Sequence, residues 1–225
     1  MKKLFLASML IIAANFTPAL FADTPSDVAF QPNLEKLDSG DGWKVVNRNV
    51  QLMTEKGVKI AHLDDNAGAG IAWVENYQFS NGVIEFDARG KNDFQKSFLG
   101  IAFHGVGDMQ YEAVYFRPFN FMSDDSVRKN DAVQYIAPPT YAWQKIHTEY
   151  PHVYDQPVQP APDPNGWFHV RIVVDGSKVS VYVNNSPKPS LEVARLSDVT
   201  NGMVGLWVGD NSGGDFAHLR IVPAQ

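Results

Sequence analysis

The sequence predicts an all-β protein, an antiparallel two-sheet jelly-roll sandwich with a long proline-rich loop segment and little helix. Three observations carry the prediction. Short runs that alternate apolar and polar residues recur from Trp43 to Val222, turn residues separate them, and no stretch sustains a helical period. The roughly 200 residues that follow a leader segment are enough for one such sandwich with a substantial core.

The leader is the first 22 residues, MKKLFLASMLIIAANFTPALFA: Lys2 and Lys3, an apolar run from Leu4 to Ile12, then small residues around Pro18. This is the layout of a secretory signal peptide, too short and wrongly flanked for a spanning helix. The expected organisation is a signal peptide over 1–22, an N-terminal arm over 23–41, and a sandwich domain over 42–225 with a long insertion at about 121–166. Export to a bacterial periplasm or the extracellular space follows, with no membrane insertion once the signal is removed. The chain has no cysteine, so neither disulfides nor a lipid-anchoring cysteine is available. Its formal charge of −6 becomes −8 when Lys2 and Lys3 leave with the signal. An acidic, mixed-sign surface excludes nucleic acid and anionic lipid as partners, which want clustered lysine and arginine.

Taken in order, Pro25 and Pro32 and a lack of periodicity make Asp23 to Glu35 a tether or loosely docked arm. Trp43 to Val46, Val50 to Met53 and Val58 to Leu63 read as short strands of a meander, and Ile71 to Val74 as another. Asn81-Gly82 marks the next turn. Phe121 to Gly166 holds half of the chain's 14 prolines and reads as a mostly irregular segment. Within it Val133 to Ile136 can form a strand, Thr140 can cap a short helix through Ile146, and Val153 to Pro164 should be extended. Trp167 to Asn184 is a hairpin turning at Asp175-Gly176, and Met203 to Val208 and Phe216 to Val222 are the last strands.

The stretch from Gly82 to Asn120 concentrates the chemistry. Side chains in a strand alternate in direction, so Glu85, Asp87 and Arg89 share one side, opposite Ile84, Phe86 and Ala88. By the same period, Leu99, Ile101 and Phe103 oppose Ala102 and His104, and Val114 and Phe116 oppose Tyr111, Ala113, Tyr115 and Arg117. Three neighbouring runs would then bring charged and aromatic groups together on one open surface suited to a polar ligand.

Three pieces resemble a known superfamily: FSNGVIEFDARG, WFHVRIVVDGSKVSVYVNN and NGMVGLWVGDNSGGDFAHLRI. Together they are similar to concanavalin A-like lectin/glucanase domains, and more narrowly to the bacterial 3-keto-disaccharide hydrolase domain family, over roughly Gly42 to Val222. The resemblance implies a jelly roll whose concave face handles carbohydrate, with hydrolysis of a glycosidic bond of 3-keto type as the associated activity. Tyr111-Glu112 matches a tyrosine-glutamate pair of that family. SFLGIAFHG departs from it, standing where the family has an Asn-Ser-Gly-Ile run ending in arginine.

Glu85-Phe-Asp87-Ala-Arg89 also resembles the Glu-x-Asp-x-Glu strand of family 16 glycoside hydrolases, where nucleophile and general acid sit about 5 to 5.5 Å apart on one face. Arg89 takes the place of the second glutamate and cannot donate a proton at neutral pH. If the protein is an enzyme, the catalytic candidates are therefore Glu85, Asp87, His104 and Glu112, with His104 as a base oriented by a carboxylate. The alternative for Glu85, Asp87 and Arg89 is an ion-pair ladder on a solvated strand face. Arg89, Tyr115, Arg117, Asn120, Gln134, Tyr135 and Trp143 are the substrate-binding candidates, because planar polar groups grip adjacent hydroxyls and flat aromatics stack on sugar rings. Tyr135, Tyr141 and Trp143 equally suit a satellite core.

No cofactor is expected, apart from structural calcium, for which His62 with Asp64 and Asp65, or Asp124 with Asp125, offers oxygens without a diagnostic spacing. No zinc pattern, phosphate loop or nucleophile elbow is present. Carbohydrate is the expected partner. A non-catalytic lectin-like or protein-binding envelope or adhesion module, using Phe121 to Gly166 as its contact surface, is the alternative.

Overall fold

In the computed structural model, which describes residues 29–224, fourteen strands form two seven-stranded antiparallel sheets. They are β1 (Trp43–Val46), β2 (Val50–Glu55), β3 (Val58–Leu63), β4 (Gly70–Val74), β5 (Gly82–Arg89), β6 (Leu99–Gly107), β7 (Gln110–Phe116), β8 (Val133–Ile136), β9 (Asp155–Gln156), β10 (Trp167–Asp175), β11 (Lys178–Val183), β12 (Leu191–Ala194), β13 (Met203–Val208) and β14 (Gly214–Pro223). Sheet I runs β1-β4-β13-β6-β7-β8-β9 and sheet II runs β12-β11-β10-β5-β14-β3-β2. The jelly-roll expectation holds. The signal segment and the start of the arm lie outside the described residues.

Alternation in the sequence becomes alternation in burial where one face of a strand is open. In β10, Phe168, Val170, Ile172 and Val174 are buried while His169, Arg171 and Val173 are partly exposed. The β10–β11 hairpin closes over Gly176 and Ser177, with Asp175 paired to Lys178, and Gly176 adopts a left-handed φ of 56°. Glycine does this without steric cost. The core lies between the sheets, where Phe116 of sheet I and Phe121, in the short helical turn that follows it, meet Phe168 of sheet II at ring separations of 5.1 and 5.2 Å.

The arm is docked more firmly than its prolines suggest. Phe30 exchanges two backbone hydrogen bonds with Ile221 and stacks on Tyr77 at 4.3 Å. A 3-10 turn over Leu34–Lys36 follows, and Leu34 and Leu37 are buried. The apolar spacing Phe30, Leu34, Leu37 overrides the absence of a strand signal.

The segment from Phe121 to Gly166 is also more ordered than expected. Val133–Ile136 is a strand, as predicted, and extends sheet I beside β7. Three short helices surround it: α1 (Pro118–Phe121), α2 (Ser126–Asn130) and α3 (Trp143–Glu149). Thr140 does not cap α3, whose N-cap is Ala142 with no side-chain cap. The extended run expected from Val153 shrinks to the two-residue β9.

Candidate functional site

The two sheets divide the Gly82 to Asn120 stretch. β5 belongs to sheet II, whereas β6 and β7 belong to sheet I. The expected convergence of all three runs on one surface therefore does not occur: consecutive strands here cross between layers, which a period-two reading cannot detect. The candidate residues other than Trp143 fall into three separate places.

The first is the outer face of sheet II, where Glu85, Asp87 and Arg89 are partly exposed. Each is already paired. Glu85 accepts from Arg220 at 2.7 Å, and Asp87 bonds His169 and His218, both at 2.7 Å. Arg89 donates to Asp215 at 2.8 Å and to Glu55 at 2.8 Å and lies over the Trp167 ring at 4.6 Å. Asp215 also bonds His62 at 2.6 Å. This is the ion-pair ladder, with Trp167's face occupied by a cation. Burial would raise the Asp87 and Asp215 carboxyls, but hydrogen bonds from the histidines, and from Arg89 to Asp215, hold both below the usual range. The hydrogen bond to Asp215 raises His62, and that to Asp87 raises His169.

The second place is the space between the sheets. His104 and Glu112 are both 0% exposed, and Tyr135 is sealed with them. His104 has a left-handed φ of 50° at a register shift between β6 and β7, and this bulge turns its ring inward, against Phe79. The expectation that His104 opposes Phe103 is thus corrected: the bulge interrupts the alternation. Its Nδ1 lies 2.8 Å from Glu112 Oε1 and its Nε2 lies 2.6 Å from the Ser80 carbonyl. Glu112 also accepts from Arg195, at 2.6 Å from one terminal nitrogen and 3.0 Å from Nε, and from the Tyr135 hydroxyl. Arg195 follows β12 of the opposite sheet, so the cluster ties the two layers together. Burial alone would raise the Glu112 carboxyl, but bonds from His104, Arg195 and Tyr135 keep it below its ordinary range, while burial and that charge push the Tyr135 phenol up. The polar atoms of His104, Glu112 and Tyr135 are thus closed off from solvent and paired with one another and with Arg195. Tyr135 also packs with Tyr154, which continues through Tyr150 to Tyr141 in a satellite aromatic core.

The third place is the outer face of sheet I. Register pairing sets Ile71, Trp207, Gly100, Tyr115, Gln134 and Asp155 in one row across β4, β13, β6, β7, β8 and β9. Gly100 is the floor. A Cβ there would meet the Val114 carbonyl oxygen at 2.1 Å, so the backbones approach too closely for any side chain. Over that gap the Tyr115 and Trp207 rings lie 4.9 Å apart, and Trp207 Nε1 donates to the Tyr111 hydroxyl at 3.0 Å. The Tyr115 hydroxyl donates to Gln134 Oε1, which also accepts from Arg117, and Arg117 donates to the Tyr115 oxygen at 2.9 Å. Arg117 and Asn120 both grip the Asp131 carbonyl, at 2.9 and 3.0 Å.

Sheet I thus brings together Tyr115, Arg117, Asn120 and Gln134. It leaves out Arg89, on the opposite side of the sandwich, and Tyr135, facing inward. Trp143 is 52% exposed at the start of α3, where its ring neighbours His147 rather than this row. Trp207 and Asp155 are the members that sequence reasoning missed, whereas strand alternation had already set Tyr111 on the face of Tyr115. Trp207 alternates with the core residues Leu206 and Val208, which was the available signal; Asp155 had none, because β9 is two residues long.

Residues named as oxygen donors for calcium have protein partners in the structure. His62 is engaged by Asp215, and Asp64 binds the backbone and side-chain amides of Asn49 at 2.8 and 2.7 Å. Asp125 caps α2 through Val127 and Arg128.

Residues 35–221 match the sequence profile of the 3-keto-alpha-glucoside-1,2-lyase-like domain. The chain belongs to that family. No curated protein matches it. Among solved structures, the carbohydrate-binding module CBM66 from Bacillus subtilis is 15% identical at a TM-score of 0.53, with 80% of this chain and 95% of that one covered. A Bacillus subtilis protein of unknown function with a galectin-like fold is 10% identical at 0.56, covering 87% and 96%. The exoplasmic/lumenal domain of VIP36, solved in a Ca2+/Man3GlcNAc-bound form, is 9% identical at 0.52, covering 87% and 91%. At such identities the likeness speaks for the sandwich fold alone.

Proposed function

We propose that this is an exported carbohydrate-binding domain whose saccharide site is the outer face of sheet I. The observation that carries the reading is the row Trp207–Gly100–Tyr115–Gln134, capped by Arg117: two aromatic rings beside a side-chain amide and a guanidinium on one outer face, with the partly exposed Arg117 lying over the Tyr115 ring at 5.1 Å. Membership of a family named for keto-glucosides supports a sugar as ligand, and carbohydrate-binding relatives of the same fold make it a natural use of this architecture. Tyr115 and Trp207 are only 4% and 6% exposed, so a sugar would touch ring edges and the partly exposed Arg117 and Phe98. A contact of that size belongs in the millimolar to high-micromolar range, about −4 to −6 kcal/mol.

The enzyme version, cleavage of a 3-keto-glycosidic bond, is not assembled from Glu85, Asp87, His104 and Glu112, which occupy two sites on different layers. Titrating the mature protein with a broad glycan set, including oxidised disaccharides, tests the binding reading. Binding that Arg117→Ala and Tyr115→Ala weaken at least tenfold is expected; no binding to any glycan, or binding indifferent to both, overturns it. Export is tested by fractionating cells and sequencing the mature N-terminus, expected after residue 22.

Protein recognition keeps one specific support: Trp143 and Val153, both in the 121–166 segment, are each 52% exposed. A partner that binds there would be lost on Trp143→Ala while saccharide binding stayed.

A further inference from the structure

Asp131, His152 and Asp155 meet at the β9 edge of sheet I, with one potential ligand atom from each within 4.8 Å of the others. His152 Nδ1 lies 4.0 Å from Asp131 Oδ1 and 3.8 Å from Asp155 Oδ1. Both of those carboxylate oxygens are buried without any hydrogen-bond partner. Asp155 is the telling residue, since its side chain is 3% exposed and its orphaned oxygen points into the cluster. A buried carboxylate oxygen left unsatisfied costs on the order of 1–3 kcal/mol or more, and two of them side by side are rarely kept without a purpose.

Outside the cluster the surroundings supply no partner, and inside it the two acids can bond only to each other, with one of them holding a proton. Among the described residues, no lysine or arginine forms an ion pair with either carboxylate; Arg117, the nearest cation of note, spends its donors on Tyr115, Gln134 and the Asp131 backbone carbonyl. That same bond and the one from Asn120 fix the Asp131 backbone at the C-terminus of α2. Pairing with β8 fixes Asp155 opposite Gln134. The two acids are therefore held by rigid elements, while His152 is 59% exposed on a turn and opens the cluster to solvent.

We propose that Asp131, His152 and Asp155 form a divalent-metal site of the zinc or manganese class, with the remaining coordination positions open to solvent. One imidazole nitrogen and two carboxylate oxygens suit those ions, whereas calcium prefers an all-oxygen shell. Three protein ligands with an exposed fourth side is the arrangement of an open zinc site. Donors of a tetrahedral ion at about 2.0–2.2 Å stand roughly 3.3–3.5 Å apart, so the observed 3.8 and 4.0 Å need a closure of about half an ångström. The exposed His152 ring can supply that movement. The site stands independently of the saccharide reading.

Calorimetric titration of the mature protein with zinc, manganese and calcium chlorides, after chelator treatment, tests the proposal. One equivalent of zinc or manganese should bind at least tenfold more tightly than calcium, and raise the unfolding midpoint. Asp155→Asn and His152→Gly should each weaken binding at least tenfold; glycine keeps the left-handed φ of 61° at residue 152, so this exposed variant tests the site even if the buried one fails to fold. Absence of stoichiometric binding, a preference for calcium, or an affinity unchanged in His152→Gly each overturns the assignment.

Discussion

Replacing Glu112 by Gln asks most directly what the buried polar cluster is for. Glu112 is 0% exposed and takes hydrogen bonds from His104, Tyr135 and the Nε and one terminal nitrogen of Arg195, whose side chain is itself 6% exposed. Glutamine preserves the volume but supplies one acceptor oxygen in place of two and no negative charge. Arg195 is then a buried cation without its counter-ion, a situation that costs about 3–5 kcal/mol. For a domain of this size each kcal/mol moves the melting temperature by about 2–4 °C, so Glu112→Gln should melt about 6–20 °C lower. Urea unfolding followed by tryptophan fluorescence measures the loss, and a glycan titration well below the transition should show unchanged affinity. A loss under about 1 kcal/mol would contradict the tie between the sheets. Abolished activity or binding in a variant of normal stability would instead make Glu112 a functional residue and refute its placement in the core.

Three further outcomes follow from the same geometry. Stability should fall as pH rises above about 6.5: His62 and His169 are raised by their aspartates, so their contribution is full below the unfolded imidazole value and is lost through the folded one. Asp87 and Asp215, being lowered, add stability that is lost only as the solution is acidified below about 3.9; melting curves from pH 3 to 9 should show a dome, flattened on the alkaline side by His62→Gln, and a curve that keeps rising to pH 9 would be inconsistent. Gly100→Ala should cost about 1–3 kcal/mol or more by forcing β6 and β7 apart, measured by chemical denaturation, and a neutral effect would contradict the close backbone approach. Arg89→Leu, on the far side of the sandwich, should change stability by about 1 kcal/mol or less and leave glycan binding untouched; a binding defect there would move the site to sheet II.

How far the sequence carried the fold depends on what each residue's neighbours were. Strand existence was readable from apolar alternation in β5, β10 and β11, because one face of each is open and the other packs on the core. The ladder of Glu85, Asp87 and Arg89 was readable for the same reason. Which sheet a strand joins was not, since β5 and β6 follow one another in the chain yet lie in opposite layers, and this misplaced the expected surface. His104 was lost to a single bulge, which no propensity announces in a run as apolar as SFLGIAFHG. The grouping of Tyr115, Arg117, Asn120 and Gln134 was legible as residue chemistry, but their meeting with Asp155 depends on a pairing across 21 residues of sequence by a strand two residues long. Asp131, His152 and Asp155 share no motif; only the fold of the 121–166 segment brings them together.

The claim that sugar binds on sheet I is tested most directly by NMR titration of isotope-labelled protein with the glycan that binds best. The indole N–H of Trp207, the backbone amides of Gly100 and Tyr115, and the side-chain amide of Gln134 should shift together along one saturating isotherm. Shifts confined to Glu85, Asp87, Arg89 and Trp167 on sheet II, with the Trp207 indole unmoved, would contradict it.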